Sequence, residues 1–394
     1  MGDGVRFIGA AERRARLALR HRLAPGARAG SPEEVADSLV ALHGTDPATV
    51  YLAVGARLAD AATTVPETER ALYADRSLVR MHGMRHTVFV FPTDLTAVVH
   101  ASTGLTVAAR ERAALLKDMA KAGAPDAAWL KEVEESALAA LARRGQATAA
   151  ELAQDEPRLR EQFAYAAGKS YEGVHTVSTR LLRVLGVEGR VVRGRPLGSW
   201  TSSQFRWAVA PPHPELDVAE AQAALLGRWL TVCGPATEDD LKWWTGWKVT
   251  DVRRALTAIG ARSVALDEGT GYVVDGDVGP VAGPAQPWVA LLPGLDPAAM
   301  GWRERDWYLA PELRPQLFDG SGNVGPTVWW NGRVVGGWAQ RRDGEIVWRA
   351  LLPSGVGREA QSAIGAEVQR LQGWLGSTRV TPRFRTPVEK ELAG

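Results

Sequence analysis

The sequence predicts an α+β chain of three tandem winged-helix motifs followed by a C-terminal antiparallel β-domain. Three observations predict it. Apolar residues recur at helical spacing through much of the first half. Short apolar runs alternate with Asn-Gly and Asp-Gly turns over residues 271–353. The order helix, helix, helix, hairpin occurs more than once as a pattern without sequence identity. Tryptophan marks the change of construction: of 15, only Trp129 precedes residue 200, so large rings are expected to fill the later cores.

Taken in order, residues 33–42 (EEVADSLVAL) place Val, Leu and Ala at i, i+3 and i+4, with Ser31 as N-cap, Pro32 at the first helical position and Glu34 as capping acid. A first copy of the motif over residues 12–94 closes on RMHGMRHTVFVFPTD. Residues 127–142 carry the same helical period. From 146 to 208, Thr148 and Glu151 open a helix, a second follows, a longer one ends at Leu185-Gly186, and an Arg-rich hairpin comes next. Residues 221–274 repeat the order, with Thr237 to Asp240 capping the middle helix and Val249–Ile259 as the recognition-type helix. YVVDGDV, PWVALLP and PTVWWNGRVVGGWAQRRDGEIVWRALLP then read as hairpins of a sheet or small barrel. The expected divisions are 1–120, 121–215, 216–275 and 276–394.

Composition bounds the function. Of 394 residues, 45% are hydrophobic and 23% charged, which excludes disorder for most of the chain. A net charge of +2 excludes a polycation that coats nucleic acid, but not a local basic patch. Residues 1–210 hold 28 basic against 23 acidic side chains, and the remainder is slightly acidic. Arginine supplies 40 of the 47 basic groups; this suits phosphate contacts, and it also suits a GC-rich coding sequence. A single cysteine, Cys233, excludes an intramolecular disulfide and any cysteine-clustered metal site. Neither a leader peptide nor an apolar run of about 18 residues is evident, so a soluble cytoplasmic chain without membrane contact is expected.

No His, Asp or Glu spacing resembles a metal site, and no cofactor is expected. Gly320 to Gly325 fits Gly-x-Gly-x-x-Gly, but Pro326 and a strand-like run follow where a dinucleotide site needs a helix. Gly168-Lys169-Ser170 looks like the tail of a Walker loop, yet Phe163 stands where its first glycine belongs. Asp296, between Leu295 and Pro297, reads as a turn residue rather than a catalyst.

Four segments together, VCGPATEDDLKWWTGW, LLPGLDPAAMGW, SGNVGPTVWWNGRVVGGW and MRHTVFVFPTDL, resemble those of the tandem winged-helix DNA glycosylases related to AlkZ, over about residues 10–380 and in the same order. The resemblance implies three winged helices and a β-domain embracing duplex DNA, with monofunctional removal of alkylated purines, often bulky N7-guanine adducts. It also implies a catalytic Gln-x-Gln or Gln-x-Asp just after an early amphipathic helix. Here that stretch reads Leu39-Val-Ala-Leu-His43-Gly44-Thr45-Asp46-Pro47, so His43 and Thr45 replace the two motif residues. Either the glycosylase site is altered, or the chain is a non-catalytic winged-helix DNA-binding protein or regulator.

On the catalytic reading, a neutral His43 holds a water as base and the Thr45 hydroxyl shares it, since i and i+2 of an extended segment point the same way. Asp46 is expected beside the lesion, but in that geometry it points elsewhere and can cap the helix beginning near Pro47. Arg85 and His86 either wall the lesion site, on phosphate and adduct or sugar, or belong with His82 to a strand entering the core. The expected DNA footprint comprises Arg180, Arg183, Arg190, Arg193 and Arg195, with Arg206 beside them and only Glu188 nearby in sequence. Ser202, Ser203 and Gln204 add polar contacts to phosphate, and Trp200 either wedges into the duplex or packs on its own domain. A second basic stretch, residues 13–28, holds six arginines and no acid, as a DNA face or a solvated helix face. The expected partner is double-stranded DNA carrying alkylated purines, bound by a monomer, since no dimerisation helix is evident.

Overall fold

The computed structural model describes residues 5–165 and 173–394; Gly168-Lys169-Ser170 lies outside the described residues. The chain is α+β. Its first segment runs through helices Ala10–Arg20 and Pro32–Asp37, strand β1 (Leu42–His43), helices Pro47–Gly55 and Thr64–Glu69, and the hairpin of β2 (Leu78–His82) and β3 (Val88–Pro92). The three strands form one antiparallel sheet in the order β1-β3-β2. Ser31 caps Pro32–Asp37 through the Glu34 amide, and the Glu34 carboxylate turns back to Gly30 N–H at 3.0 Å. The helical run read over 33–42 stops at Asp37. Val40 takes a left-handed φ of 64°, which turns Leu42 and His43 into the sheet. Sheet pairing with β3 overrides the apolar period there.

The second segment contains helices Ala127–Arg144, Ala149–Asp155 and Val177–Val187, then the hairpin of β6 (Val191–Pro196) and β7 (Phe205–Val209). Between Asp155 and Val177, where a further helix is expected, the described residues form a 3₁₀ turn and a two-stranded pair, β4 (Gln162–Tyr165) with β5 (Gly173–Thr176). A capping box of Thr148 and Glu151 opens the middle helix. The third segment runs through helix Val218–Cys233, β8 (Ala236–Thr237), helices Glu238–Thr245 and Val249–Ala258, and the hairpin of β9 (Arg262–Leu266) and β10 (Gly269–Val273). Thr237 and Asp240 form the second capping box. Both oxygens of Asp240 are used, because Oδ1 also accepts from Arg303 and Glu304 N–H.

The C-terminal sheet is an open meander, β11 (Val289–Leu292), β12 (Thr327–Trp330), β13 (Arg333–Gln340) and β14 (Ile346–Ala350), rather than a barrel. Tyr272 and Val273 pair within the third segment instead of joining it. Helix Arg358–Leu375 packs against β11 and β14, and Pro387–Ala393 against β13. The cores do not follow the chain divisions. One lies within residues 115–207. The largest joins Leu17, Phe89, Trp229, Trp302 and Trp329, and another joins Tyr51, Val90, Trp200, Trp338 and Ile364. First-segment residues thus sit in two cores shared with the C-terminal sheet, and this sets the position of residues 39–47.

Candidate functional site

The stretch from Leu39 to Pro47 is held at both ends. Leu42 and His43 pair with Val90 and Phe89, and Gly44 N–H donates to the Val88 carbonyl at 2.8 Å. A Cβ on Gly44 would meet the Phe89 backbone carbon at 3.2 Å, so the middle motif position must be small. At the other end Asp46 caps helix Pro47–Gly55, its Oδ1 accepting from Ala48 N–H at 3.1 Å. Its Oδ2 accepts from Arg383 N–H at 3.0 Å. Both Asp46 oxygens are therefore engaged by backbone amides, and the residue is 8% exposed.

His43 is buried, with its ring edge-on to Phe89 at 5.3 Å. Burial first, and then the nearby Arg85 charge, push its pKa down to about 4. The imidazole is neutral at pH 7. Thr45, half-buried, directs its backbone N–H at His43 Nδ1 over 3.4 Å, so the ring proton belongs on Nε2. Leu39, Arg85, Phe89, Trp229, Trp244 and Met300 stand among the walls of a ≈ 30 Å³ cavity against the ring. That is room for one or two waters. No carboxylate lines it.

Arg85 and His86 occupy the turn of the β2–β3 hairpin, closed by Gly83 N–H to the Thr87 carbonyl. Both take left-handed φ values, 52° and 62°, a costly conformation for side chains of this size. The Arg85 guanidinium lies 4.2 Å over the Trp243 ring. Gly246, at φ 74°, makes room beside it, since a Cβ there would touch Arg85 Cγ at 3.0 Å. His86 is sandwiched: its ring stacks on His82 at 5.2 Å, and the Arg183 guanidinium lies 3.0–3.1 Å from both ring nitrogens. Glu111 approaches Nδ1 at 3.3 Å. Burial, then Arg183, lowers the His86 pKa to about 4, and burial, then Arg193, lowers that of His82 to about 3.

Four of the six arginines expected to lack acidic neighbours have them, brought from distant elements. Arg180 pairs with Asp118 at 3.2 Å, Arg190 with Glu134, Arg195 with Glu69 at 2.6 Å and Arg206 with Glu151 at 2.9 Å. Arg193 packs over Phe205 at 4.4 Å and has its pKa lowered to about 10 by burial and then by Arg80. Trp200 is not available as a wedge. It is 8% exposed and packs against Tyr51 and Trp374 of other segments, with ring centres 5.1 and 5.9 Å away. Ser203 and Gln204 form the exposed hairpin tip, and half-buried Ser202 accepts from Gln204 N–H. The stretch 13–28 is not a solvated helix face, since Arg14, Arg20, Arg22 and Arg28 are half-buried. Arg13 and Arg16 are buried, on Glu268 and on Glu12 with Asp277. Asp296 caps Pro297–Met300 and binds buried Arg57 through both oxygens at 2.7–2.8 Å, a structural position.

The sequence reading missed Trp243, Trp229 and Trp244 at this site. The doubled Trp243-Trp244 was the available signal, because in a helix neighbouring rings must face different ways: Trp244 goes into the core and Trp243 under Arg85. Among the described residues no group of His, Cys, Asp or Glu is placed to hold a metal ion, and no helix is long and apolar enough to cross a membrane.

None of the curated protein sequences matches the chain. Among solved structures, the DNA glycosylase AlkZ of Streptomyces sahachiroi is similar with a TM-score of 0.68 at 21% identity, covering 91% of this chain and 96% of that one. The family model for DNA glycosylase AlkZ-like proteins matches residues 36–374, which include the motif stretch and the surrounding walls, and the chain therefore belongs to the AlkZ-like DNA glycosylase family.

Proposed function

We propose that the chain hydrolyses the N-glycosidic bond of bulky N7-alkylguanine adducts in duplex DNA, as a monofunctional glycosylase serving resistance to a genotoxin or base excision repair. The observation that carries this reading is a neutral His43 beside a water-sized cavity. An N7-alkylguanine already carries positive charge, so it departs without a general acid. The site has to orient a water and support an oxocarbenium-like sugar. With Thr45 N–H on Nδ1, the His43 Nε2–H holds that water as a donor rather than as a base, and the proton lost when the water adds to the sugar passes to solvent. Thr45 thus serves by fixing the ring through its backbone. The cavity is too small for a purine, which favours handling the lesion within the duplex over full base flipping.

Arg85, propped on Trp243 in a strained turn, is assigned to the phosphate flanking the lesion, with His86 behind it. We read the three helix-helix-helix-hairpin segments as winged helices on one monomer. Arg183, Arg190 and Arg195 and the tip residues Ser203 and Gln204 are exposed enough to meet the backbone. For Arg195, exchanging the partly exposed Glu69 carboxylate for a phosphate costs little, since exposed ion pairs are worth about 1 kcal/mol or less.

The test is gel analysis of abasic sites on a duplex carrying one N7-alkylguanine. Wild type is expected to give alkali-labile product, and His43→Ala to lower its rate roughly 100-fold with DNA affinity nearly unchanged. Thr45→Ala, which keeps its N–H, is expected to cost much less. Equal rates in wild type and His43→Ala would remove His43 from the reaction.

A further inference from the structure

A cavity in a basic surround lies away from His43. It measures ≈ 380 Å³ and sits between β2 of the first sheet and the β6–β7 hairpin. Arg76, Arg80, Arg193 and Arg195 line it, no Asp or Glu does, and the rest of its wall is largely apolar, including Tyr73, Leu78 and Pro211. Arg80 is 6% exposed, and among the described residues its Nε and Nη2 have no hydrogen-bond partner. A buried guanidinium without partners is costly. Its neighbour Arg193 has no carboxylate partner among the described residues and rests on the Phe205 ring. The charges of Arg80, Arg383 and Arg183 all act against that of Arg193. Such a cluster is stabilised by an anion.

We propose that this cavity binds a small organic anion, an apolar body carrying a single carboxylate, sulfonate or phosphate, with the acidic group on Arg80 and Arg193. Its volume is several times that of a bare oxyanion and falls in the range of small-molecule sites. The site is separate from the motif stretch. In the register Leu42–Val90–Arg80 and His43–Phe89–Met81, Arg80 lies on the opposite face of the sheet from His43. The site therefore stands or falls independently of the role given to His43.

The probe is 8-anilino-1-naphthalenesulfonate, with N-phenyl-1-naphthylamine as the same ring body lacking the acid. Wild type is expected to bind the sulfonate saturably at one site. Arg80→Met is expected to weaken sulfonate binding about tenfold, the order of one lost charge-assisted contact, while leaving the uncharged probe unaffected and the melting temperature unchanged or raised. Val192→Trp, which fills the cavity from its wall, is expected to abolish both. Equal sulfonate affinity in wild type and Arg80→Met would overturn the proposal, as would full binding by Val192→Trp. Displacement of the probe by undamaged duplex would also overturn it, making the cavity part of the DNA footprint.

Discussion

At the scale of single residues, the physical question is how a histidine can stand where the family resemblance places glutamine. An amide is neutral at every pH and offers both donor and acceptor. A solvent-exposed imidazole titrates near 6.5 and would be partly charged. His43 is withdrawn from that equilibrium by burial and by Arg85, which hold its pKa to about 4. At neutral pH it is, like glutamine, an uncharged donor and acceptor. Two outcomes follow. Because the neutral ring is the working form, base release should stay flat from pH 8 to about pH 5 and decline as pH falls through about 4; a break near 6.5 would mean the ring is solvated. His43→Gln should retain more activity than His43→Ala in the same abasic-site assay. The position of this residue was legible in the sequence, since the stretch from Leu39 to Pro47 stands out. Its protonation state was not, because that depends on Arg85, Phe89 and the Trp229 wall, which only folding brings together.

Among elements, helix Pro47–Gly55 and the hairpin of β6 and β7 show opposite failures of sequence reasoning. All nine residues of the helix are buried, so it carries no amphipathic period. Only its cap, Asp46, and Pro47 announce it. The second Asp46 contact, to the Arg383 amide, crosses almost the whole chain and leaves no local trace. Asp46→Ala removes both acceptors and should cost about 1–2 kcal/mol of stability, read as a lower denaturation midpoint. Lesion release per folded molecule should fall far less than in His43→Ala. A folded but inactive Asp46→Ala would instead place the carboxylate in the chemistry. In the hairpin the strands were legible from their alternation, but the freedom of the arginines was not. Glu69, Glu134, Glu151 and Asp118 reach them from other elements, and counting acids along a local stretch cannot see that. The helical run over 33–42 failed for a related reason: two residues of β1 gain more by pairing with β3 than by continuing a helix.

For the molecule as a whole, the near-neutral charge hides a consequence of burial. Every one of the seven histidines is shifted below its ordinary pKa of 6.5. Burial is the leading cause each time, and His21 and His82 fall to about 3, His43 and His86 to about 4. The folded chain thus takes up protons on these rings less readily than the unfolded chain, which gains them as pH falls through 6.5. Below that pH the unfolded state binds more protons, so stability drops, by about 1.4 kcal/mol per pH unit for each ring that stays neutral when folded. The loss ends only below the folded values. Carboxylates with lowered pKa, such as Glu12, Glu33 and Glu156, add their own loss, but only below about 4.5. The histidine contribution therefore begins well above the carboxylate contribution and overlaps it only below about 4.5. Against a total stability of roughly 5–15 kcal/mol, four such rings remove a substantial share of it before most carboxylates titrate. The urea midpoint should fall steeply between pH 6.5 and 5, with several protons taken up on unfolding at pH 5.5, and His82→Gln should reduce that uptake by about one. A midpoint that holds constant down to pH 5 would mean the rings are hydrated in the folded protein, and the neutral His43 on which the proposed chemistry depends would lose its physical basis with them.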